Sequence, residues 1–206
     1  MSDNVLPDEA APKRQRMKPG QRREQILQTL AGMLEQPGSE RITTALLASK
    51  LDVSEAALYR HFASKAQMFE GLIDFIEHSV FGLVNQIAER EGDGVTKAAR
   101  MVTVLLQFGE KNPGMARVMA GDALVFEHER LHQRMNQLFE RIESVLRQVL
   151  RVAAEANKSP TPTADAQVRA SVLMTFALGQ LQRFARSGFK RSPLDYLDAS
   201  LAIMCR

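Results

Sequence analysis

Residues 41–65 read RITTALLASKLDVSEAALYRHFASK and contain two short helical patterns separated by a break of a few residues. The first pattern has apolar residues at the three- and four-residue spacing of one helix face, and these are Leu46, Leu47, Ala48 and Leu51. The apolar residues of the second pattern are Val53, Ala57, Leu58 and Phe62. Two helices joined by a short turn form a helix-turn-helix, whose second helix enters the major groove of DNA. This stretch therefore predicts a DNA-binding motif.

The helix starts in this stretch carry the residues that cap helices. Either Thr43 or Thr44 stands where a hydroxyl can accept from a free backbone N–H of the first helix. Ser54 takes the same position before the second helix, and Glu55 places a carboxylate in its first turn, where the helix dipole favours it. Asp52 occupies the turn position where such motifs usually carry glycine, and Asp tolerates the left-handed conformation better than most residues.

The exposed face of the second helix supplies the candidate DNA contacts. Small side chains at Ala56 and Ala57 allow close approach to the base edges, and their methyl groups can contact a thymine methyl. Polar side chains after them can donate to phosphates, which positions a protein without specifying sequence. A plain helical hairpin is the alternative interpretation. The candidate DNA-binding residues are Thr43, Thr44, Ser54, Ala56, Ala57, Tyr59, Arg60, His61 and Lys65.

Basic charge is concentrated near this motif. The chain has a net charge of +3, and residues 13–65 carry ten Lys or Arg against five Asp or Glu. Such an excess is the footprint expected for phosphate binding. Residues 1–19 are polar and contain a basic cluster, so we predict a disordered tail that contacts phosphates weakly. The cluster consists of Lys13, Arg14, Arg16 and Lys18.

Residues 53–65, VSEAALYRHFASK, resemble the DNA-binding domain of the TetR family of bacterial regulators. Further stretches resemble one branch of that family, the nucleoid occlusion factors, and together they cover most of residues 21–206. These stretches are RREQILQTLAGMLE (22–35), FGEKNPG (108–114), MNQLFERIESVLRQVLR (135–151) and RFARSGFKRSP (183–193). The resemblance implies an all-α, TetR-like fold in which residues 20–65 bind DNA and residues 66–206 form a helical domain for dimerisation and partner binding.

Helical periodicity over the rest of the chain agrees with an all-α fold of about nine helices and no strand. A long fourth helix begins at the capping box of Ser64 and Gln67. A later helix has apolar residues spaced 4-3-4-3-4, as in a coiled coil, at Leu131, Met135, Leu138, Ile142, Val145 and Val149. Residues 157–165 are predicted to form a mobile loop, residues 166–187 the eighth helix, and Ser192 with Pro193 the start of the last helix.

The fourth and fifth helices, residues 65–90 and 95–111, carry more apolar residues than one face requires. Three interpretations are open: ordinary core, a small-molecule pocket, or a groove for a peptide from a protein partner. The resemblance favours the groove, because it implies capture of the C-terminal tail of the division protein FtsZ. The matching positions are Leu72, Phe75, Ile76, Ser79, Val104, Phe108, Lys111 and Asn112.

The function that the resemblance implies is nucleoid occlusion, in which the DNA-bound protein blocks assembly of the FtsZ ring over the chromosome. The alternative is a TetR-type repressor released by a small ligand. Two recognition helices require half-sites about one DNA turn apart, so we expect a homodimer on a near-palindromic site. Phe176, Leu181 and Leu197 are the expected interface residues. The single cysteine, Cys205, and the absence of a secretory signal predict a cytoplasmic protein, and the resemblance implies that it is associated with the nucleoid.

Residues 128–132, HERLH, match the H-E-x-x-H pattern of helical zinc sites. A catalytic zinc site also needs a third protein ligand. Glu143 lies too far along the same helix, and Glu155 could reach the site only if the chain folded back. We therefore interpret the pattern as surface polar residues at a helix start. The sequence has no glycine-rich phosphate loop, G-x-S-x-G elbow or paired CxxC, so we predict no metal site, no cofactor and no enzyme activity.

Overall fold

The computed structural model describes residues 20–36, 42–90 and 92–205, and within these ranges it has nine α-helices, one 3₁₀ helix and no strand. The prediction of an all-α fold is confirmed. The prediction for the tail, residues 1–19, lies outside the described residues. The helices are α1 Gln21–Leu34, α2 Thr44–Lys50, α3 Glu55–Tyr59, α4 Lys65–Glu89, α5 Gly94–Lys111, α6 Pro113–Met119, the 3₁₀ helix Asp122–Leu124, α7 Glu129–Ala156, α8 Pro162–Arg186 and α9 Leu197–Met204.

Helices α1 to α3 pack around a shared apolar core and carry the predicted caps. The Thr43 and Ser54 hydroxyl oxygens accept hydrogen bonds of 3.2 Å from the backbone N–H groups three residues later. Asp52 has a φ of 52°, so the turn between α2 and α3 uses the left-handed conformation expected there. The buried side chains of this bundle include Ile26, Leu30, Leu47, Leu58 and Phe62.

One predicted core residue of α2 is on the surface. Leu46 is 51% exposed, whereas Leu47 is buried. Each residue of an α-helix is rotated by about 100° from the one before, so Leu47, Ala48 and Leu51 share the buried face and Leu46 lies nearly opposite its centre. The prediction that Leu46 belongs to the buried face is wrong.

Helix α4 connects the first three helices to the rest of the chain. The Ser64 hydroxyl accepts from the backbone N–H of Gln67, and the Gln67 side chain accepts from the backbone N–H of Ala63 at 2.8 Å, which fixes the helix start. With 25 residues the helix is about 37 Å long. Its inner face is buried, and Arg134 of α7 donates at 2.7 Å to Glu77, which lies at the edge of that face. This ion pair connects α4 to α7.

Helices α7 and α8 form an antiparallel hairpin, and this hairpin is the main packing unit of the second part of the chain. Arg147 near the end of α7 donates to Gln167 near the start of α8 at 2.7 Å. The predicted seam of α7 is buried except at Val145, which is half-buried. Helix α6 lies against α1 so closely that a Cβ atom at Gly114 would lie 2.2 Å from the Ala31 carbonyl oxygen.

Two helix starts differ from the sequence predictions. Helix α8 begins at Pro162, four residues earlier than expected, and the predicted loop is correspondingly shorter. The Asp165 carboxylate accepts from the hydroxyls of Ser159 and Thr161, and these bonds lower the pKa of Asp165. They close the turn before the helix. Helix α9 begins at Leu197 instead of Pro193.

Candidate DNA-binding face and peptide groove

The predicted DNA contacts of α3 lie on its surface. Ala56, Tyr59 and Arg60 are exposed, and Ala57 is half-buried. Leu58 alone of this helix is buried, which orients the short helix with its alanines and Tyr59 outward. Nothing larger than a methyl group projects from the first turn of α3 after Glu55. The helix can therefore approach a groove of DNA closely.

A chain of hydroxyl contacts connects α2 with α3. The Thr44 hydroxyl donates to Glu55 Oε2 at 2.6 Å, and the Tyr59 hydroxyl lies 3.4 Å from Thr44 Oγ1. Thr43 and Ser54 are both exposed and both used as caps. The two threonines and Ser54 therefore stabilise the motif in addition to any contact with DNA.

Arg23 of α1 braces the end of the recognition helix. Its guanidinium donates to the His61 carbonyl oxygen and stacks over the Phe62 ring, 4.0 Å from the ring centroid. The His61 side chain is half-buried. Sequence reasoning missed Arg23, because it stands 38 residues from His61 and no local pattern connects them.

Lys65 forms an ion pair with Glu127, which precedes α7. The Lys65 side chain is 26% exposed and the Glu127 side chain 9%. Its ammonium also lies 5.7 Å from the Phe69 ring centroid. In this arrangement the Lys65 charge is neutralised by a carboxylate from the second part of the chain.

A groove of about 470 Å³ runs between α1, α4 and the junction of α5 with α6. Phe75 lines it, is 49% exposed and packs against Phe108 with the ring centroids 6.1 Å apart. Glu24 and Glu35 border the α1 side, and the exposed Lys111 precedes the lining residue Asn112. The other lining residues are Leu27, Gln28, Ala31, Gly32, Leu72 and Met115.

The structure brings only part of the predicted partner-binding set into this groove. Leu72, Phe75 and Asn112 line it, while Ser79 and Val104 are half-buried and do not. Ile76 is completely buried, because it points about 100° away from Phe75 into the core. Its prediction as a contact residue is not supported by this placement, and the largely buried Phe108 supports Phe75 from behind.

The α1 wall of the groove was missed at the sequence level. Leu27 and Ala31 are four residues apart and lie beside the buried stripe of α1. The sequence signal for this wall was the i, i+4 spacing of these two apolar residues. A second apolar stripe on a helix indicates that a second face of the helix is covered by another element. The pairing of this stripe with α4 and Met115 depends on tertiary packing.

Both histidines of the H-E-x-x-H pattern have structural contacts. The His128 ring accepts from the backbone N–H of Arg130 at 3.2 Å and caps α7. The His132 ring is hydrogen-bonded to the Leu124 carbonyl oxygen at 2.8 Å. Across the ranges that the structure covers, no three His, Cys, Asp or Glu side chains are grouped to hold a metal ion.

A second cavity of about 440 Å³ lies between the 3₁₀ segment, the start of α7 and the end of α8. His132 and Phe139 line one wall, and Leu178 and Gln182 line the other. Among the described residues, no helix is both long and apolar enough to span a membrane.

Comparison with known proteins identifies two matching family models. Residues 26–72 match the model of bacterial regulatory proteins of the tetR family. Residues 92–206 match an SlmA-like model described as tetracyclin repressor-like, C-terminal domain.

Similar curated proteins cover nearly the whole chain. The nucleoid occlusion factor SlmA of Idiomarina loihiensis is 48% identical over 183 residues, which are 89% of this chain and 93% of that protein. SlmA of Salmonella typhi is 52% identical over 179 residues, or 86% of this chain and 90% of that protein.

Solved structures of the same fold are more distant in sequence. The regulator PfmR of Thermus thermophilus has a TM-score of 0.72 at 20% identity and covers 88% of this chain and 97% of its own. The Bacillus subtilis regulator FadR, solved in complex with stearoyl-CoA, has a TM-score of 0.69 at 12% identity and covers 88% and 97%.

Proposed function

The chain belongs to the SlmA family of nucleoid occlusion factors, a branch of the TetR DNA-binding regulators, and we propose that it blocks FtsZ ring assembly over the chromosome. It would do so while bound to specific chromosomal sites through α2 and α3. Its location is accordingly the cytoplasm, in association with the nucleoid.

The observation that carries the partner part of this proposal is the exposure of Phe75. A large aromatic side chain that lies half exposed in a groove, supported by Phe108 and flanked by Leu72 and Met115, is built like a binding anchor. A fully buried Phe75 would have indicated ordinary core. We propose that the groove takes the C-terminal tail of FtsZ, with apolar tail residues on Phe75 and acidic ones towards Lys111.

The charges around the groove favour one orientation of such a tail. Glu24 and Glu35 on the α1 side disfavour acidic residues there, whereas Lys111 at the end of α5 attracts them. The acidic part of the tail should therefore lie on the α5 side of the groove.

We propose that the chain dimerises through α8 and α9. The residues that form the interface, however, are not those predicted from the sequence. Leu181 and Leu197 are buried inside the chain, and Phe176 is half-buried. The exposed apolar residues of these helices are Val168, Val172 and Ile203. Val168 and Val172 share one face of α8 with Gly179, whose Cβ position is open, so this face suits close contact with a second copy.

The groove is tested with Phe75→Ala, and Phe126→Ala is the matched control because Phe126 is also a large exposed aromatic. We expect Phe75→Ala to weaken binding of an FtsZ tail peptide by about 2 kcal/mol, roughly thirtyfold, with unchanged thermal melting and DNA affinity. The control should bind normally. An early-melting Phe75→Ala protein, or one that still disperses FtsZ filaments, would return this surface to the core or ligand-pocket interpretation.

A further inference from the structure

Four exposed cations lie within nine residues of one another in the sequence where α8 ends. Arg183 and Arg186 are in its last turns, and Lys190 and Arg191 follow in the next segment. We call residues 183–191 the basic turn. Cations in the last turn of a helix offset its dipole, which accounts for the two arginines of α8. Lys190 and Arg191 lie beyond the helix, so the dipole does not explain them.

The backbone of the basic turn is held in one conformation. The Ser187 hydroxyl donates to the Phe184 carbonyl oxygen at 2.8 Å and accepts from the backbone N–H groups of Lys190 and Arg191 at 3.1 and 3.0 Å. Phe189 has a φ of 65°, which is unusual for a bulky residue. Its ring packs on the Phe184 ring, with the centroids 5.1 Å apart, which holds it in place. Lys190 and Arg191 therefore project from a fixed loop, next to the two arginines of the helix end.

The basic turn lies at the end of the helical hairpin that adjoins the helix-turn-helix. Helices α7 and α8 are antiparallel, since early α7 and late α8 line the same cavity. Helix α7 begins two residues after Glu127, the partner of Lys65, so α8 returns to the end where Lys65 lies. A second connection leads from Phe189 through Arg117 to the Gln36 carbonyl oxygen, just after α1.

No cation of the basic turn lies within ion-pair distance of a carboxylate among the described residues. In the described part of the chain, the cations that form ion pairs with carboxylates are Lys65, Arg130, Arg134 and Arg151. None of these pairs includes the basic turn. In the neighbouring segment, the Glu110 carboxylate accepts from the Ser192 hydroxyl and not from a cation of the basic turn. Within the described residues, the positive charges of the basic turn are thus not neutralised by a carboxylate partner.

We propose that the basic turn is a second phosphate-binding surface, which contacts the DNA backbone beside the duplex segment held by α3. The inference rests on the proposed DNA binding. Phosphates are the expected partners because the basic turn adjoins the end of the hairpin where DNA would lie, and because each phosphate contact releases a counterion. A membrane carrying anionic headgroups would have to approach the same end, which bound DNA occupies. In a dimer the surface is present twice.

The test compares two triple variants with the same loss of three charges. The first is Arg186→Gln, Lys190→Gln and Arg191→Gln. The control is Arg90→Gln, Arg100→Gln and Lys158→Gln, which changes exposed cations elsewhere on the chain. Fluorescence anisotropy measures binding to a duplex that carries the protein's chromosomal site with long flanks, and to a random duplex, between 0.05 and 0.2 M salt, roughly the range over which phosphate contacts change affinity strongly.

We expect the first triple to reduce the slope of log K against log salt by about 2–3 units per protomer, and the affinity by at least about tenfold, on both duplexes. The control triple should change the slope by less than about one unit. Equal slopes for the two triples, with wild type binding its site normally, would overturn this inference alone. Failure of the wild type to bind any duplex would instead contradict the proposed function. Unchanged DNA binding with lost binding to phosphatidylglycerol vesicles would reassign the surface to lipid headgroups and overturn the DNA proposal.

Discussion

Glu127→Gln should strengthen DNA binding, because the Glu127 carboxylate neutralises Lys65. The Glu127 side chain is about nine-tenths buried and the Lys65 side chain about three-quarters buried, so the pair is fixed and carries no net charge. A phosphate that approaches the Lys65 ammonium therefore also meets the repulsion of Glu127. Glutamine has almost the same shape, and it can still accept a hydrogen bond from the ammonium while leaving one positive charge for the phosphate.

The magnitude follows from the geometry of the ion pair. A phosphate on the far side of the ammonium would be about 6 Å from the carboxylate, which corresponds to roughly 2–3 kcal/mol of repulsion at an effective dielectric constant of about 20. Screening at about 0.1 M salt reduces this to about 1.5 kcal/mol, or roughly tenfold in affinity per protomer. One additional effective phosphate contact should steepen the salt slope by about 0.9 units per protomer.

The assay is a DNA titration across salt concentrations, with thermal melting to check the fold. Glu129→Gln is the control, since it removes the same charge from an exposed position two residues away. Lys65→Ala in the Glu127→Gln background should abolish the gain. An unchanged salt slope, or weaker DNA binding at an unchanged melting temperature, would refute the reasoning and leave the pair a purely structural contact.

Three further predictions concern stability. Gly114→Ala should destabilise the fold by about 1–3 kcal/mol in denaturant titrations, because the new methyl group would meet the Ala31 carbonyl oxygen; unchanged stability would contradict the close packing of α1 with α6. Ser54→Ala should cost about 1 kcal/mol through loss of the α3 cap, and should also weaken DNA binding. A normal DNA affinity would show that the α3 start does not need the cap. Asp93 caps α5, and its pKa is lowered chiefly by the backbone hydrogen bond from Thr96. A lowered folded-state pKa means stability that is present above the unfolded value, about 3.9, and lost as pH falls through the folded value. Asp93→Ala should therefore lower the melting temperature at pH 7, and the difference from wild type should shrink in melts taken at falling pH below about 4; a difference independent of pH would contradict the role of the carboxylate.

Much of the fold and of the DNA-binding motif could be predicted because the signals are local. The caps of α2 and α3 are bonds between residues three apart, and the left-handed turn at Asp52 depends on its own backbone. The seam of α7 was readable because its apolar residues repeat at the period of the helix. The all-α, TetR-like fold and the membership of the SlmA family were recognised from such stretches, and both are confirmed.

Periodicity identified apolar helices but could not decide which apolar residues stay exposed. Phe75 and Ile76 are neighbours of equal hydrophobic character, yet the groove exposes one while the core buries the other. Leu46 was misplaced for the same reason. Exposure depends on which helices pack together, and that is set by contacts distant in the sequence.

The electrostatic features of the site came only from the tertiary structure. Lys65 and Glu127 are 62 residues apart, and Arg23 is 38 residues from the carbonyl it holds. The cations of the basic turn can be read from the sequence. Their position near the helix-turn-helix, however, depends on the antiparallel packing of α7 against α8. A sequence determines local hydrogen bonds and helix periodicity directly, because they act within a few residues. Charge pairing and groove walls depend on distances between helices, which only the packed chain defines.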